Sequence, residues 1–548
     1  MTFAIVNKGM GSESYAALLR SARRTLELRK HALVDGAADY TITVSVDEAL
    51  TNDRYIVDAG ADHAVLSAAN DCSVHAALGR LLIEAEFDGR GSFVVKEGVI
   101  DHTPTKSLRG MYFATHFYNF YHKAPLEEVY DVIEDLALRG CNCIEVWFDM
   151  HHYTSMQDPG AQELVERLRA IIAYTNKVGM KVSMTMNSNE AFANSPEHLR
   201  AEWEAIGRYF KKPGDHYHLE ICPSKEGGIE QIIQYRREMF SCFADLRIDY
   251  VVYWPYDQGG CTCMKCQPWG SNGFLKLLPH FKALVKEMLP NTMVIVSTWY
   301  FDHFVEGEWD EFYERLVKEP ELFTDVAYFM AFFHNGNIPA CIREKGIPEG
   351  IEFVDFPEIS MQYCSPWGGY GASILARFLD TTNKACKDLY QGGFPYSEGI
   401  FEDANKFIQM GFYTGVYPDA YDALRAYVAH EFCCKDEELY EAIRRTETGL
   451  HRKMNHDEEY LRVNILDPSD IDFVYETLTK YNEILPEQIA KSRNFRLFYL
   501  RAVIDHELKE HDFVPMRSAR CQEAMKEVNE IYYADERTKD WVCAPVGK

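Results

Sequence analysis

Between residues 106 and 405 the chain alternates short apolar runs with longer amphipathic stretches, and this alternation restricts the fold more than any other feature. The apolar runs lie at 109–117, 142–150, 180–187, 218–223, 249–256, 293–300, 326–332, 352–361 and 393–398. Helical periodicity fills the gaps, most clearly at 126–139, 162–178, 229–246 and 274–288. Continuous apolar strands separated by helices are how a parallel sheet of βα units reads in sequence. Nine candidates predict an α/β fold with a closed (β/α)8 TIM barrel, one of the last three runs being irregular.

The flanks read differently. Strand-like alternation at 39–46, 54–57, 64–67 and 92–95 surrounds a helical stretch at 73–84, which predicts a small α+β domain over 1–105. Beyond 405 the periodicity becomes helical at 437–453, 471–482, 494–508 and 516–532, which predicts an α-helical C-terminal domain over 406–548. Such a domain is long enough to close the barrel mouth or to pair two subunits, and a homodimer is expected. At 548 residues, three domains suit the usual size of a single core.

Charge and composition exclude several classes. Lys and Arg number 57 against 84 Asp and Glu, a net charge of −27, which argues against a nucleic-acid surface. No apolar run approaches the ~18 residues of a membrane span. The first thirty residues hold only a four-residue apolar stretch, followed by Gly, Ser and charges, unlike a secretory signal. The 15 cysteines are odd in number and scattered, as in a reduced cytoplasmic protein, and cytoplasmic localisation is the expectation. A P-loop, a GxGxxG after a strand, and Ser or Cys nucleophile motifs are absent from the sequence.

Barrel enzymes place their chemistry at the C-terminal ends of the strands, and here those ends are aromatic and acidic. They carry His116, Asp149, His151 and His152, Glu190, Trp254, Tyr256 and Asp257, Trp299, Glu358, Trp367, Tyr396 and Glu398. A pyranose stacks its apolar face on an aromatic ring and needs paired donors and acceptors at its rim. Glycosidic cleavage adds a carboxylic acid for the leaving oxygen and a second carboxylate as base, nucleophile or charge stabiliser. Asp257 stands first among the catalytic carboxylates because Gln258-Gly259-Gly260 follows it and lets a ligand approach the backbone. Glu398, flanked by small residues and Tyr396, is second, and Glu358 third. His116, Asp149, His152, Glu190, Trp254, Tyr256, Trp299, Trp367 and Tyr396 are expected substrate contacts. The bland alternative is that the aromatics fill the barrel rim and the acids cap helices or form ion pairs, the reading preferred for Glu402 and Asp403.

Cys261, Cys263 and Cys266 follow Asp257 within nine residues. Three close thiols would hold a structural zinc ion with a fourth ligand such as Cys222, Cys364 or a histidine. Otherwise they are free thiols shaping a loop. No other cofactor is expected.

The order of parts resembles the broad group of β-hexosaminidases and α-glucuronidases. It is carried by a small α+β domain, by Ala76-Ala77-Leu78-Gly79-Arg80-Leu81-Leu82, and by a barrel opening at Leu108-Arg109-Gly110. Residues 254–260, 356–361 and 396–400 look like strand ends of bacterial hydrolases in this group. The resemblance implies a non-catalytic N-terminal domain and a glycoside hydrolase barrel. The sequence departs from β-hexosaminidases in lacking their adjacent Asp-Glu after the fourth strand: it has Glu220-Ile221 there and a single Asp257 after the fifth. An acid at Glu220 or Asp257 with Glu358 and Glu398 late in the barrel is closer to the α-glucuronidase pattern.

The expected function is an exo-acting glycoside hydrolase taking short glycans or glycosides. Two alternatives stand beside it: a non-catalytic sugar-binding barrel, and a metal-dependent lyase or isomerase acting on sugars.

Overall fold

The computed structural model describes residues 1–116, 118–202, 219–256, 260–333, 338–360, 371–449, 451–453, 462–464, 468–511 and 517–535. The N-terminal sheet has six strands in the order Ala32–Leu33, Thr2–Asn7, Tyr40–Val46, His63–Ala68, Tyr55–Ala59, Gly98–His102. The early apolar stretch is the strand Thr2–Asn7, paired on both sides. Phe3, Ile42, Val44 and Leu66 share one core with Leu18 and Leu26 of helix Ser12–Leu28 and Leu78 of helix Asp71–Glu84. Asn70 caps the second helix, its Oδ1 accepting from Ser73 N at 2.9 Å.

The barrel strands are Leu108–Phe113, Cys143–Trp147, Lys181–Asn187, Tyr250–Trp254, Met293–Ser297, Val326–Ala331 and Phe353–Asp355, with an eighth split into Gly392–Gly393 and Tyr396–Ser397. All pair in parallel, and Cys143–Trp147 also pairs with Leu108–Phe113, which closes the ring. The eighth strand passes so close to its neighbours that only glycine fits. A Cβ on Gly392 would lie 1.6 Å from Leu108 O, and one on Gly393 2.1 Å from Asp355 O.

The surplus ninth run is not among the last three, as the sequence suggests, but is 218–223, of which 219–223 are described. Its backbone is engaged outside the barrel. Ile221 N donates to Asn189 O, Cys222 N to Leu199 O, and Ala201 N to Glu220 O, so these groups cannot enter a barrel ladder.

A buried joint seats the first domain on the bottom of the barrel. Arg109 in the first barrel strand donates to Asp53 Oδ2 at 2.8 Å and to Gly140 O at 2.7 Å, while Asn142 and Asn70 also donate to Asp53. Burial alone would raise the Asp53 carboxyl, but the Arg109 charge and these hydrogen bonds hold it below its usual range. Gly79 is required at the same joint, since a Cβ there would sit 1.7 Å from Leu138 O.

Helix Asp403–Thr414 follows the eighth strand as the last helix of the barrel, and the helices Ala420–Glu431, Glu437–Gly449, Pro468–Ile484, Arg493–Glu510 and Ala519–Tyr532 form the C-terminal part. The periodicity read through 453 ends earlier, because His451–Lys453 pairs antiparallel with Arg462–Asn464. The C-terminal helices reach the loops above the last strands: Arg501 donates to Ala372 O at 3.1 Å and Tyr532 to Glu398 O at 2.7 Å. Among the described residues no helix is long and apolar enough to cross a membrane.

Candidate active site

Side chains alternate along a strand, so one residue in two of each barrel strand points inward. At the C-terminal end these inward positions are almost all aromatic. Tyr112, Trp147, Trp254, Phe356 and Tyr396, with Trp299 above the fifth strand, form one cluster in the barrel interior. Ring centroids are 5.6 Å apart for Trp147 and Trp254, 5.5 Å for Trp254 and Trp299, 5.1 Å for Trp254 and Phe356, and 5.3 Å for the stacked pair Tyr112 and Tyr396. Trp254 is buried and Trp299 half-buried. The Nε1 groups of Trp147, Trp254 and Trp299 have no hydrogen-bond partner among the described residues. Three buried indole donors without acceptors are a feature that a ligand with hydroxyl groups would satisfy.

The eighth strand carries Glu398 at the edge of this floor. Tyr396 donates its hydroxyl to Glu398 Oε1 at 2.5 Å, and burial with the nearby charge of Glu398 pushes the phenol well above its ordinary value. The turn beneath is braced by Glu402, whose Oε1 accepts from Ser397 Oγ at 2.6 Å, Glu398 N at 2.7 Å and Gly399 N at 2.8 Å. Tyr121 hydrogen-bonds Ser397 Oγ at 2.6 Å, and the buried Lys406 donates to Gly399 O. Glu402 and Asp403 are thus scaffolding, the latter in a 2.8 Å ion pair with Arg139. Half-buried Glu358 stands beside the same strand: it forms a parallel bridge with Tyr396, and its Oε1 accepts from Ser360 N at 2.8 Å. Tyr396 lies in the electrostatic field of both glutamates.

A second polar group follows the first two strands. Asp149 is buried and lies 2.7 Å from Nδ1 of the partly exposed His152. Burial would raise its carboxyl, but the His152 hydrogen bond and the imidazoles of His116, His151 and His152 hold it well below the usual range. His116 packs on Trp147 at 5.0 Å and is pushed down to about 3 by burial, so it is neutral at pH 7. Tyr118 and Tyr300, at the ends of the first and fifth strands, hold left-handed backbone (φ 57° and 60°), which costs on the order of 1 kcal/mol or more for a non-glycine residue.

Other predicted contacts are engaged within the protein. Glu190 Oε1 accepts from Met150 N, His151 N and lies 2.7 Å from His151 Nδ1, so this carboxylate organises the loop after the second strand. The buried Arg236, pushed down to about 10 by burial, binds the Asn187 and Glu190 carbonyls beside it. Tyr256 turns outward after Pro255 and donates to buried Glu308 at 2.6 Å. Glu308 is raised to about 7 by burial, against the hydrogen bonds it accepts from Tyr256 and Gly270 N. Asp257 and Trp367 lie outside the described residues. Cys261, Cys263 and Cys266 gather with Cys222, their sulfur atoms all within 4.8 Å of one another.

Sequence reasoning passed over Tyr112 and Phe356, whose inward parity was the available signal, and Tyr532, for which there was none because it lies 134 residues from its partner Glu398.

No protein-family model and no curated protein sequence matches the chain. Its structure is similar to the family 89 glycoside hydrolase from Clostridium perfringens solved with GlcNAc-alpha-1,4-galactose, with TM-score 0.59, 10% identity, and 95% of this chain and 64% of that one covered. The chain therefore spans less than two thirds of that enzyme's length. It is also similar to a GH20 exo beta-N-acetylglucosaminidase from Vibrio harveyi, with TM-score 0.53, 13% identity, and 80% and 74% covered. A third likeness is a GH138 enzyme targeting pectin rhamnogalacturonan II, with TM-score 0.53, 11% identity, and 97% and 90% covered. At these identities what is shared is the fold: a (β/α)8 barrel of the kind that these glycoside hydrolases carry.

Proposed function

We propose that this chain is an exo-acting glycoside hydrolase that removes a terminal sugar from short glycans or glycosides at the C-terminal face of its barrel. The observation that carries this reading is Glu398, hydrogen-bonded by Tyr396, which Glu358 bridges, at the edge of an aromatic floor with three indole donors that have no partner among the described residues. The floor supplies stacking surface and donors for a pyranose. The Tyr396 hydrogen bond fixes the Glu398 carboxyl at the edge of the floor, which suits it to act as base, nucleophile or stabiliser of the oxocarbenium-like transition state. Glu358, bridged to Tyr396 from the seventh strand, is the candidate partner, and Asp257 remains a sequence-based candidate for the acid. Asp149 and His152 would bind substrate hydroxyls. The fold likeness to glycoside hydrolases supports the reaction class.

The test is turnover of chromogenic α- and β-glycosides, including N-acetylhexosaminides, uronides, galactosides and glucosides, by the wild type and by Glu398→Gln, Glu358→Gln and Asp257→Asn. Turnover abolished in Glu398→Gln with the fold intact is the expected result. Sugar binding without turnover by the wild type across the panel would instead favour a non-catalytic sugar-binding barrel.

A further inference from the structure

Cys222 lies in the loop after the third barrel strand, and Cys261, Cys263 and Cys266 in the loop after the fourth. Cys222 Sγ is 3.7 Å from both Cys263 Sγ and Cys266 Sγ, and all four sulfurs lie within 4.8 Å of one another. These separations are far beyond the ~2.05 Å of a disulfide bond. They match the roughly 3.8 Å between sulfurs that a tetrahedral ion with ~2.3 Å zinc–sulfur bonds requires.

The surroundings are those of a metal site. Ser224 N points to Cys222 Sγ at 3.4 Å, and Ser224 Oγ is 3.2 Å from Cys266 Sγ, while Lys276 Nζ donates to that same hydroxyl at 3.1 Å. Outer-shell donors to thiolates, and a cation offsetting the net negative charge of a tetrathiolate, stabilise such a centre. Three of the thiols are buried and Cys263 is half-buried, so four thiolates here would repel one another strongly without an ion between them.

We propose that Cys222, Cys261, Cys263 and Cys266 bind one structural Zn²⁺ ion. Four soft sulfur ligands fill a tetrahedral shell and leave no open position for a substrate or water, which makes the site structural, not catalytic. Its place in the fold gives it a task. Asn189, at the end of the third strand, donates to Ile221 O at 2.9 Å and Gly260 O at 2.8 Å and accepts from Gly260 N, so the zinc and Asn189 together staple the two loops at the barrel mouth. The inference does not depend on the sugar chemistry proposed above.

The test uses the full-length chain, purified reduced and without chelator or immobilised metal. Elemental analysis should find about one zinc per chain. Replacing zinc with Co²⁺ should give the thiolate-to-cobalt charge-transfer absorption and the d–d bands of a tetrahedral ion. Cys222→Ser and Cys266→Ser should each lower bound zinc at least tenfold, whereas Cys386→Ser, a buried thiol elsewhere, should leave it unchanged. If the cluster variants do not fold, the cobalt spectrum of the wild type decides. The proposal is overturned if the reduced wild type takes up neither zinc nor cobalt, if the bound metal is iron, or if Cys222→Ser keeps a full equivalent of zinc.

Discussion

Tyr396 and Glu398 stand two residues apart on the eighth strand, and the phenol donates to the carboxylate at 2.5 Å. Equal parity sends both side chains the same way, while Ser397 between them is turned to Glu402. The pair is rigid because the turn below it is tied by three hydrogen bonds to one carboxylate oxygen. Glu398→Gln should therefore keep the fold and lower kcat/KM on a confirmed substrate by about three orders of magnitude or more. Tyr396→Phe removes one hydrogen bond to a charged group, ~1.5–3 kcal/mol, and should lower kcat/KM by roughly 10–100-fold. Unchanged kinetics in Glu398→Gln would remove this residue from the catalytic assignment.

The indole donors make a separate prediction. Trp299 is half-buried, so Trp299→Phe keeps an aromatic face and deletes an N–H that has no partner among the described residues. Thermal stability should change little, whereas KM for the sugar should rise about twofold to thirteenfold, the equivalent of one neutral hydrogen bond. Isothermal titration with substrate and the Glu398→Gln protein would measure the same loss directly as Kd.

Glu145, an inward residue of the second barrel strand, is raised to about 8 by burial, which outweighs its hydrogen bond from Thr185. The folded state thus holds a proton that the unfolded chain, with an ordinary value of 4.5, gives up. Stability should fall as pH rises between these two values, by up to about 1.4 kcal/mol per pH unit. In Glu145→Gln that slope should be absent, so the variant should unfold at a higher urea concentration than the wild type at pH 8 and differ little from it at pH 5. Parallel slopes for the two proteins would show that Glu145 is not the source.

At the joint between the first domain and the barrel, Arg109→Ala would leave half-buried Asp53 facing Asn70 and Asn142 without its cation. Breaking a fully buried pair from one side costs about 3–5 kcal/mol, and the partial exposure of Asp53 lowers this to roughly 1–3 kcal/mol. Calorimetry should show a lower Tm, with the N-terminal domain unfolding in a separate, earlier transition. A single transition at the wild-type Tm would show that the joint contributes nothing.

The parallel barrel is legible in the chain, because strand and helix periodicities are local. What periodicity could not reach begins where strands end. Trp254 and Tyr256 share parity, yet the strand stops at Trp254 and Pro255 turns the chain, so one ring enters the floor and the other leaves it for Glu308. Glu190 has the composition of a hydroxyl contact, but neighbouring backbone N–H groups occupy it. The run at 218–223 has strand composition and lacks a free ladder to join. Cys222 was one of several fourth ligands open to Cys261, Cys263 and Cys266, and only the juxtaposition of two loops sets its sulfur 3.7 Å from two of them. Local sequence fixes which backbone conformations are stable, whereas these choices depend on which distant groups compete for the same hydrogen bonds and the same space.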